Sequence, residues 1–507
     1  MGVLATLGGA FADFLAPTML FHVVWATLLG IFVGALPGLT ATMGVALLTT
    51  LTYSLDRDAA ILVLICMYVG AIYGGSRSAI LLNIPGTPAS AASTLDGFPL
   101  AKQGKAGLAL GVATMGSALG TLVGIVLLIV LAPPLAEAAL NFGSFEFFWL
   151  ALFGIIISGQ LTQAGSPVKG YLAGVIGLSV AMIGSDGIHS HIRFNMGFPE
   201  LNGGIGLIPA MVGAFGFAEI LFTMTRPAAE VTDRKPEPVR LRELWNRAWR
   251  YKGTIVRSGA IGTSIGIIPG VGEDIGAWGS YAAAKRTSPE RADFGKGSVE
   301  GLTAAETGNS AVVPGSLIPT LTLGIPGSAA AAVLIAALYI HGVRPGPMIM
   351  FDQPDFIYRV AVMLVFATVA ILVFGLALTP LFIQVLRVPR SWLMPVVFVM
   401  CVIGPFALTQ RLFDVWVMLA FGLIGYVLRR LDYPMAPLVL GIILGDLLDK
   451  SLRRGLTLSD GDLSPFFTRP ISAGFAILIL VTIVFSIPAV RGLFRRRRRT
   501  APDTGGH

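Results

Sequence analysis

Residues Thr320–Ala332 read TLTLGIPGSAAAA, a run that with its flanks is apolar enough to cross a membrane and is cut by Gly324-Ile325-Pro326-Gly327. Proline removes a backbone donor and clashes with the preceding turn, and glycine takes conformations that a helix does not use. The tetrapeptide therefore breaks a helix. Irregular backbone at membrane depth survives only where protein or a cavity meets its polar groups, so the break predicts a lined interior rather than a lipid-facing surface.

The same motif occurs at Ile84-Pro85-Gly86, again followed by a hydroxyl residue, Thr87 here and Ser328 there. The flanks match as well. GGSRSAILLNIPGT at Gly74–Thr87 parallels PGSLIPTLTLGIPGS at Pro314–Ser328, and GALPGL at Gly34–Leu39 parallels GIIPGV at Gly266–Val271. Two matched pairs in the same order predict an internal repeat.

Composition sets the class. Of 507 residues 54% are apolar and 13% charged, against roughly a quarter charged in soluble domains, and mean hydropathy is +0.78. Apolar windows long enough for a membrane helix fall at about 59–75, 106–133, 147–163, 168–185 and 205–225, then 300–318, 356–386, 391–409, 413–428, 434–449 and 471–490. The expected fold is an all-α polytopic membrane protein with two inverted repeats, broken helices, paired re-entrant hairpins and about 11–14 membrane segments. A β-barrel would alternate residue by residue, and this sequence does not. The net charge of +8 lies between apolar spans, as topology signals do, which argues against nucleic acid. Cys66 and Cys401 lie in apolar runs without metal-ligand spacing. No Walker A, HExxH or GxSxG pattern is present, so neither a primary pump nor a hydrolase is indicated and no enzyme is expected. The absence of Lys or Arg before Arg57 predicts that the amino end is mature sequence rather than a cleaved signal.

Charge also predicts orientation. Residues 226–257 form a basic segment, with LRELWNRAWRYK as its surface portion, and are expected to be cytoplasmic by the positive-inside rule. This places a first membrane repeat at 1–225, a second at 258–490 and a basic cytoplasmic tail at 491–507. Pro-Gly elements at about 17–52 and 254–284, if each returns to its own side, leave an odd number of spans between the units and invert the second. Lys450–Arg454 fits this arrangement least well, since it falls outside.

Candidate site residues follow from the breaks. A hydroxyl after a break caps a second half-helix whose free N–H groups and positive dipole end attract an anion, so Asn83, Pro85, Gly86 and Thr87 with Gly324, Pro326, Gly327 and Ser328 form a candidate substrate site. A packing kink is the plainer alternative. Thr40 and Thr42 after Pro37, and Gly270 with Asp274 after Pro269, are candidates for a coupling cation, because unwound carbonyls with nearby hydroxyls or carboxylates bind cations. An interfacial charge is the alternative for Asp274. In TAAETGNSA, Glu306 and Asn309 share one helical face, polar within a span; Asn309 is assigned to substrate and Glu306 to the cation, with helix-to-helix hydrogen bonding as the alternative. His189, His191 and Arg193 read as a solvated loop, without ligands at metal-binding spacing.

NIPGTPASAASTLDGFPLAKQGKAG at Asn83–Gly107 and FGKGSVEGLTAAETGNSAVVPGSLIPTLTLGIPGS at Phe294–Ser328 resemble the two signature blocks of the large membrane subunit of tripartite tricarboxylate transporters. The resemblance runs over nearly the whole chain. It implies a permease in the bacterial inner membrane that works with a small membrane subunit and a periplasmic solute-binding protein. It further implies secondary transport of citrate or another carboxylate, with no cofactor and with Na+ or H+ as coupling ion. A passive anion channel or a stand-alone carboxylate carrier would use similar parts.

Overall fold

The computed structural model describes residues 2–36, 39–87, 90–161, 167–186, 188, 191–225, 240–378 and 390–486, apart from the side chains of Leu161, Glu273, Asp274, Arg390, Ser391, Leu393, Phe485 and Ser486. Pro37, Asp274 as a side chain, His189, most of the expected linker (226–239) and the tail at 491–507 thus lie outside the described residues. Among those described, β structure is confined to a two-residue antiparallel ribbon in which Gly184 faces Arg193 and Ser185 faces Ile192.

The helices follow in order: α1 (Val3–Phe14), α2 (Pro17–Ala35), α3 (Ala41–Leu51), α4 (Arg57–Leu82), α5 (Ala91–Lys102), α6 (Ala106–Ala139), α7 (Ser144–Leu161) and α8 (Pro167–Ala181). Next come α9 (Leu207–Met211), continued through a π-helical turn into α10 (Ala218–Met224), then α11 (Leu241–Arg250), α12 (Lys252–Ile267), α13 (Gly272–Thr287), α14 (Val299–Leu323), α15 (Ala329–Ile340), α16 (Ile349–Asp352) and α17 (Phe356–Ala377). Helices at Arg390–Thr409, Leu412–Arg430, Met435–Leu458 and Pro470–Ser486 complete the larger elements. Within the described residues each apolar window expected from the sequence overlaps a helix, although 168–185 outruns α8 and ends in the β ribbon. Among the described residues, 6 helices are long and apolar enough to cross a bilayer: Pro17–Ala35, Arg57–Leu82, Ala106–Ala139, Leu207–Met224, Phe356–Ala377 and Leu412–Arg430. The chain is accordingly an all-α membrane protein. The surface segment forms α11, with Leu244 buried and Trp245 and Trp249 exposed, the amphipathic pattern of an interfacial helix.

The chain forms two compact units, Met1–Asn141 with Ile205–Met435, and Phe142–Gly204 with Ala436–His507. These units rest on packing, whereas the division into repeats rests on sequence correspondence, so the one does not test the other. In the first unit α2 packs on α4 and α12 on α14, each pair touching backbone to backbone. A Cβ at Gly30, Gly34 or Gly74 would overlap the carbonyl oxygen of Met67, Ala71 or Ile31, and a Cβ at Gly262, Gly266 or Gly315 would overlap that of Gly308, Val312 or Thr263. Each contact in the first set has its counterpart in the second, with one sequence spacing from α2 to α12 and another from α4 to α14. The packing of α3 on α15 is likewise answered by that of α13 on α5.

In the second unit, Gly159 meets Gly170 and Gly177 meets Leu438 at the same close range. Arg453 donates to Asp186 at 2.8 Å and to Asp449 at 3.0 Å, Arg193 reaches Asp449 at 3.0 Å, and Lys450 reaches Asp446 at 2.7 Å. Acids thus balance the basic segment that fitted the expected charge distribution least well.

Candidate functional site

The two breaks have the same local anatomy. α4 ends at Asn83 with φ 56°, and α14 ends at Gly324 with φ 69°, the left-handed conformation that stops a helix and that Gly and Asn adopt most readily. Asn83 is therefore a helix stop whose side chain is exposed rather than turned into the interior. After each turn the chain runs Ile-Pro-Gly, and the glycine is indispensable. A Cβ at Gly86 would overlap the Gly34 carbonyl oxygen and stand 2.9 Å from the Gly75 Cα, and a Cβ at Gly327 would overlap the Gly266 carbonyl oxygen and stand 2.6 Å from the Ser316 Cα. Ser328 then caps α15, accepting from the Ala331 N–H at 3.1 Å, while Thr87 accepts from the Ser90 N–H at 3.3 Å ahead of α5.

The Pro-Gly break between α12 and α13 docks on the second of these turns. The Gly270 N–H donates to the Pro326 carbonyl at 3.2 Å and the Gly272 N–H to the Gly327 carbonyl at 3.2 Å, so Gly270, Pro326 and Gly327 come together. Thr40 caps α3 by accepting from the Met43 N–H at 3.2 Å, and Thr42 is buried in that helix.

Glu306 lies in the middle of α14, fully buried. Its carboxylate accepts from three hydroxyls on three other helices: Ser76 of α4 at 2.6 Å, Ser117 of α6 at 2.9 Å, and Ser93 of α5. The three hydroxyls, with the buried guanidinium of Arg77 on α4 as a charge nearby, offset much of the desolvation of a carboxylate, and the same oxygens form a ligand set suited to a small cation or a proton. The serines carried no sequence signal, since a lone serine in an apolar helix usually bonds to its own backbone.

One turn further on, Asn309 and Ser310 are also buried, and neither polar atom of the Asn309 amide nor the Ser310 hydroxyl has a partner among the described residues. Each such group costs about 1–3 kcal/mol unless a water or another group meets it. Tyr68, facing the other turn, is in the opposite condition: its hydroxyl lies 2.7 Å from Ser328 and 3.2 Å from Ser316. No sequence feature had distinguished Tyr68 from the other aromatics of its apolar run.

Spanning helices, breaks within apolar runs and polar groups concentrated in the interior make this a multi-pass membrane protein with a lined core. The family model described as the tripartite tricarboxylate transporter TctA family matches residues 20–440, and the chain belongs to that family. It is 34% identical over 498 residues, covering 97% of this chain and 98% of its relative, to the "uncharacterized 52.8 kDa protein in TAR-I ttuC' 3'region" of Agrobacterium vitis. It is also 34% identical over 231 residues, 45% of this chain and 96% of its relative, to the "uncharacterized protein in TAR-II ttuC' 3'region" of the same organism. No solved structure matches the chain.

Proposed function

We propose that this chain is the translocating subunit of a tripartite importer in a bacterial inner membrane, carrying a tricarboxylate or related carboxylate by secondary transport. A small membrane subunit and a periplasmic solute-binding protein serve as partners, on the strength of the family. The two halves are read as inverted repeats whose hairpin tips, from Pro85 to Thr87 and from Pro326 to Ser328, surround the anion, with Asn309 between them. Glu306 holds the coupling ion, Na+ or H+, and Asp274 with Gly270, Thr40 and Thr42 form a second candidate cation site.

The observation that carries this reading is the buried Glu306 carboxylate ringed by serine hydroxyls from α4, α5 and α6. An anion entering a negative interior is opposed by about 2.3 kcal/mol per charge at 100 mV, so accumulation demands a cation that travels with it. An acid buried among serine hydroxyls, with Arg77 nearby and with unpartnered amide and hydroxyl groups beside it, provides for both.

The test is uptake into proteoliposomes containing this chain and both partners, with a panel of labelled di- and tricarboxylates. Gradient-driven accumulation, and counterflow of labelled against unlabelled substrate with no net gradient, are the expected results. Flux without counterflow would mean a channel, and full-rate, high-affinity uptake by this chain alone would remove the partners.

A further inference from the structure

Resting on the transport reading above, we propose that the two hairpin tips are not equivalent: a carboxylate of the cargo binds only at the first, at the N-terminus of α5, where Asn309 and Ser310 meet Thr87 and Ser90. Tyr68 seals the second tip. The cargo therefore has one anchoring end.

The placement follows from the register of α5 against α14. Asp96 of α5 lies against Gly301, where a Cβ would overlap its Oδ2, and Ser93 bonds Glu306, so the two helices run antiparallel. The next turn of each brings the N-cap Ser90 level with Asn309, and Thr87 is tied to Ser90 by hydrogen bonds in both directions. The register of α4 agrees, because Ser76 pairs with Glu306 and Tyr68 with Ser316, which sets Asn309 across from Gly74 and Gly75. Over Gly75 lie the two hydroxyls, Thr87 Oγ1 and Ser90 Oγ, at 2.7 and 3.1 Å from where a Cβ would stand.

The spacing that relates Gly74 to Gly315 and Gly86 to Gly327 also relates Tyr68 to Asn309, Gly75 to Ser316, and Thr87 to Ser328. In one half the three positions form a closed set, with the Tyr68 hydroxyl on both serines and Ser328 further engaged by the Ala331 N–H. In the other half a short amide replaces the phenol and glycine replaces serine, and the amide and Ser310 are unpartnered and buried. The phenol hydroxyl occupies the place at the N-terminus of α15 that a ligand oxygen takes at the N-terminus of α5. An amide N–H2, the Ser310 and Thr87 hydroxyls and the first N–H groups of a 12-residue helix together favour a carboxylate, while Ser90 holds the turn by donating its hydroxyl to the Thr87 carbonyl at 2.8 Å.

The experiment is thermal unfolding of the full-length purified protein with sodium tartrate, malate or citrate, against sodium chloride at matched ionic strength. At least one carboxylate is expected to raise the wild-type Tm. Asn309→Leu, close in shape but apolar, should raise the ligand-free Tm by roughly 1–3 °C by removing an unsatisfied amide, and should abolish the carboxylate-induced rise. Tyr68→Phe should lower the ligand-free Tm and retain that rise. The proposal is overturned if Asn309→Leu is destabilised or keeps the carboxylate response, or if Tyr68→Phe loses it. Should no carboxylate shift the wild type, the cargo class fails, and the opposite signs of the two ligand-free changes still decide whether the tips differ.

Discussion

At the scale of the residue, the glycines divide by what surrounds them. Gly327 is pinned between the Gly266 carbonyl and the Ser316 backbone, neither of which can swing aside as a flexible side chain would. Gly327→Ala should therefore cost about 1–3 kcal/mol through overpacking, whereas Gly253→Ala, in the first turn of α12 with open space around it, should be neutral or stabilising by up to about 1 kcal/mol. Parallel unfolding curves of the two variants test this, and equal behaviour would mean that the close approach at the second tip is absent. The prolines and glycines of these turns were legible in the sequence because their effect is local and needs no neighbour. Ser76, Ser93 and Ser117 were not legible, since each is ordinary alone and gains meaning only where α4, α5 and α6 converge on Glu306.

At the scale of the element, α5 is latched to the loop that precedes α14. At its midpoint the buried Asp96 accepts from the backbone N–H groups of Gly295, Gly297 and Ser298 at 2.8, 2.9 and 2.8 Å, and from the Tyr281 hydroxyl at 2.9 Å. The carboxylate thus occupies the N-terminus of α14, whose dipole favours a negative charge, and ties the half-helix that follows the first break to the loop before α14. Asp96→Ala leaves those N–H groups buried without an acceptor and should lower stability by about 2–5 kcal/mol, while Asp96→Asn, which keeps one oxygen, should cost less. Trypsin cleavage at the exposed Lys296 reports the latch directly: it should speed up in Asp96→Ala and change little in Asp96→Asn. Unchanged cleavage in both would remove the latch. This role escaped the sequence because Asp96 sits in STLDGF, which reads as an amphipathic turn and gives no hint of a partner some two hundred positions away.

At the scale of the whole molecule, the matched packing of α2 on α4 and α12 on α14 makes a symmetric frame, and the chemistry breaks that symmetry. The spacing that pairs Gly86 with Gly327 pairs Glu306 with Ile65, Ser76 with Leu317 and Ser93 with Leu334, all buried and apolar. The matched Pro-Gly positions could be read from the sequence because their effect on the backbone is local; which half holds the polar groups could not, because that depends on which faces meet. A single acid beside a single anion site carries an energetic consequence. Asn309 is one turn from Glu306, about 4.5 Å along the helix, and two like charges near 5 Å repel by about 3 kcal/mol at an effective dielectric of 20. The cargo carboxylate and an ionised Glu306 therefore oppose one another, an opposition that the buried Arg77 guanidinium lessens, and a cation or proton on Glu306 favours binding of the anion. Glu306→Gln mimics the neutral form and can still accept from and donate to the three serines. It should bind carboxylate with little dependence on Na+ or pH and support exchange between equal ion concentrations, yet fail to accumulate cargo down an ion gradient. The measurements are counterflow and gradient-driven uptake in the same proteoliposomes. Accumulation by Glu306→Gln with the ion dependence of the wild type would acquit Glu306 and move the coupling site to Asp274, where Asp274→Asn should then abolish accumulation and spare exchange.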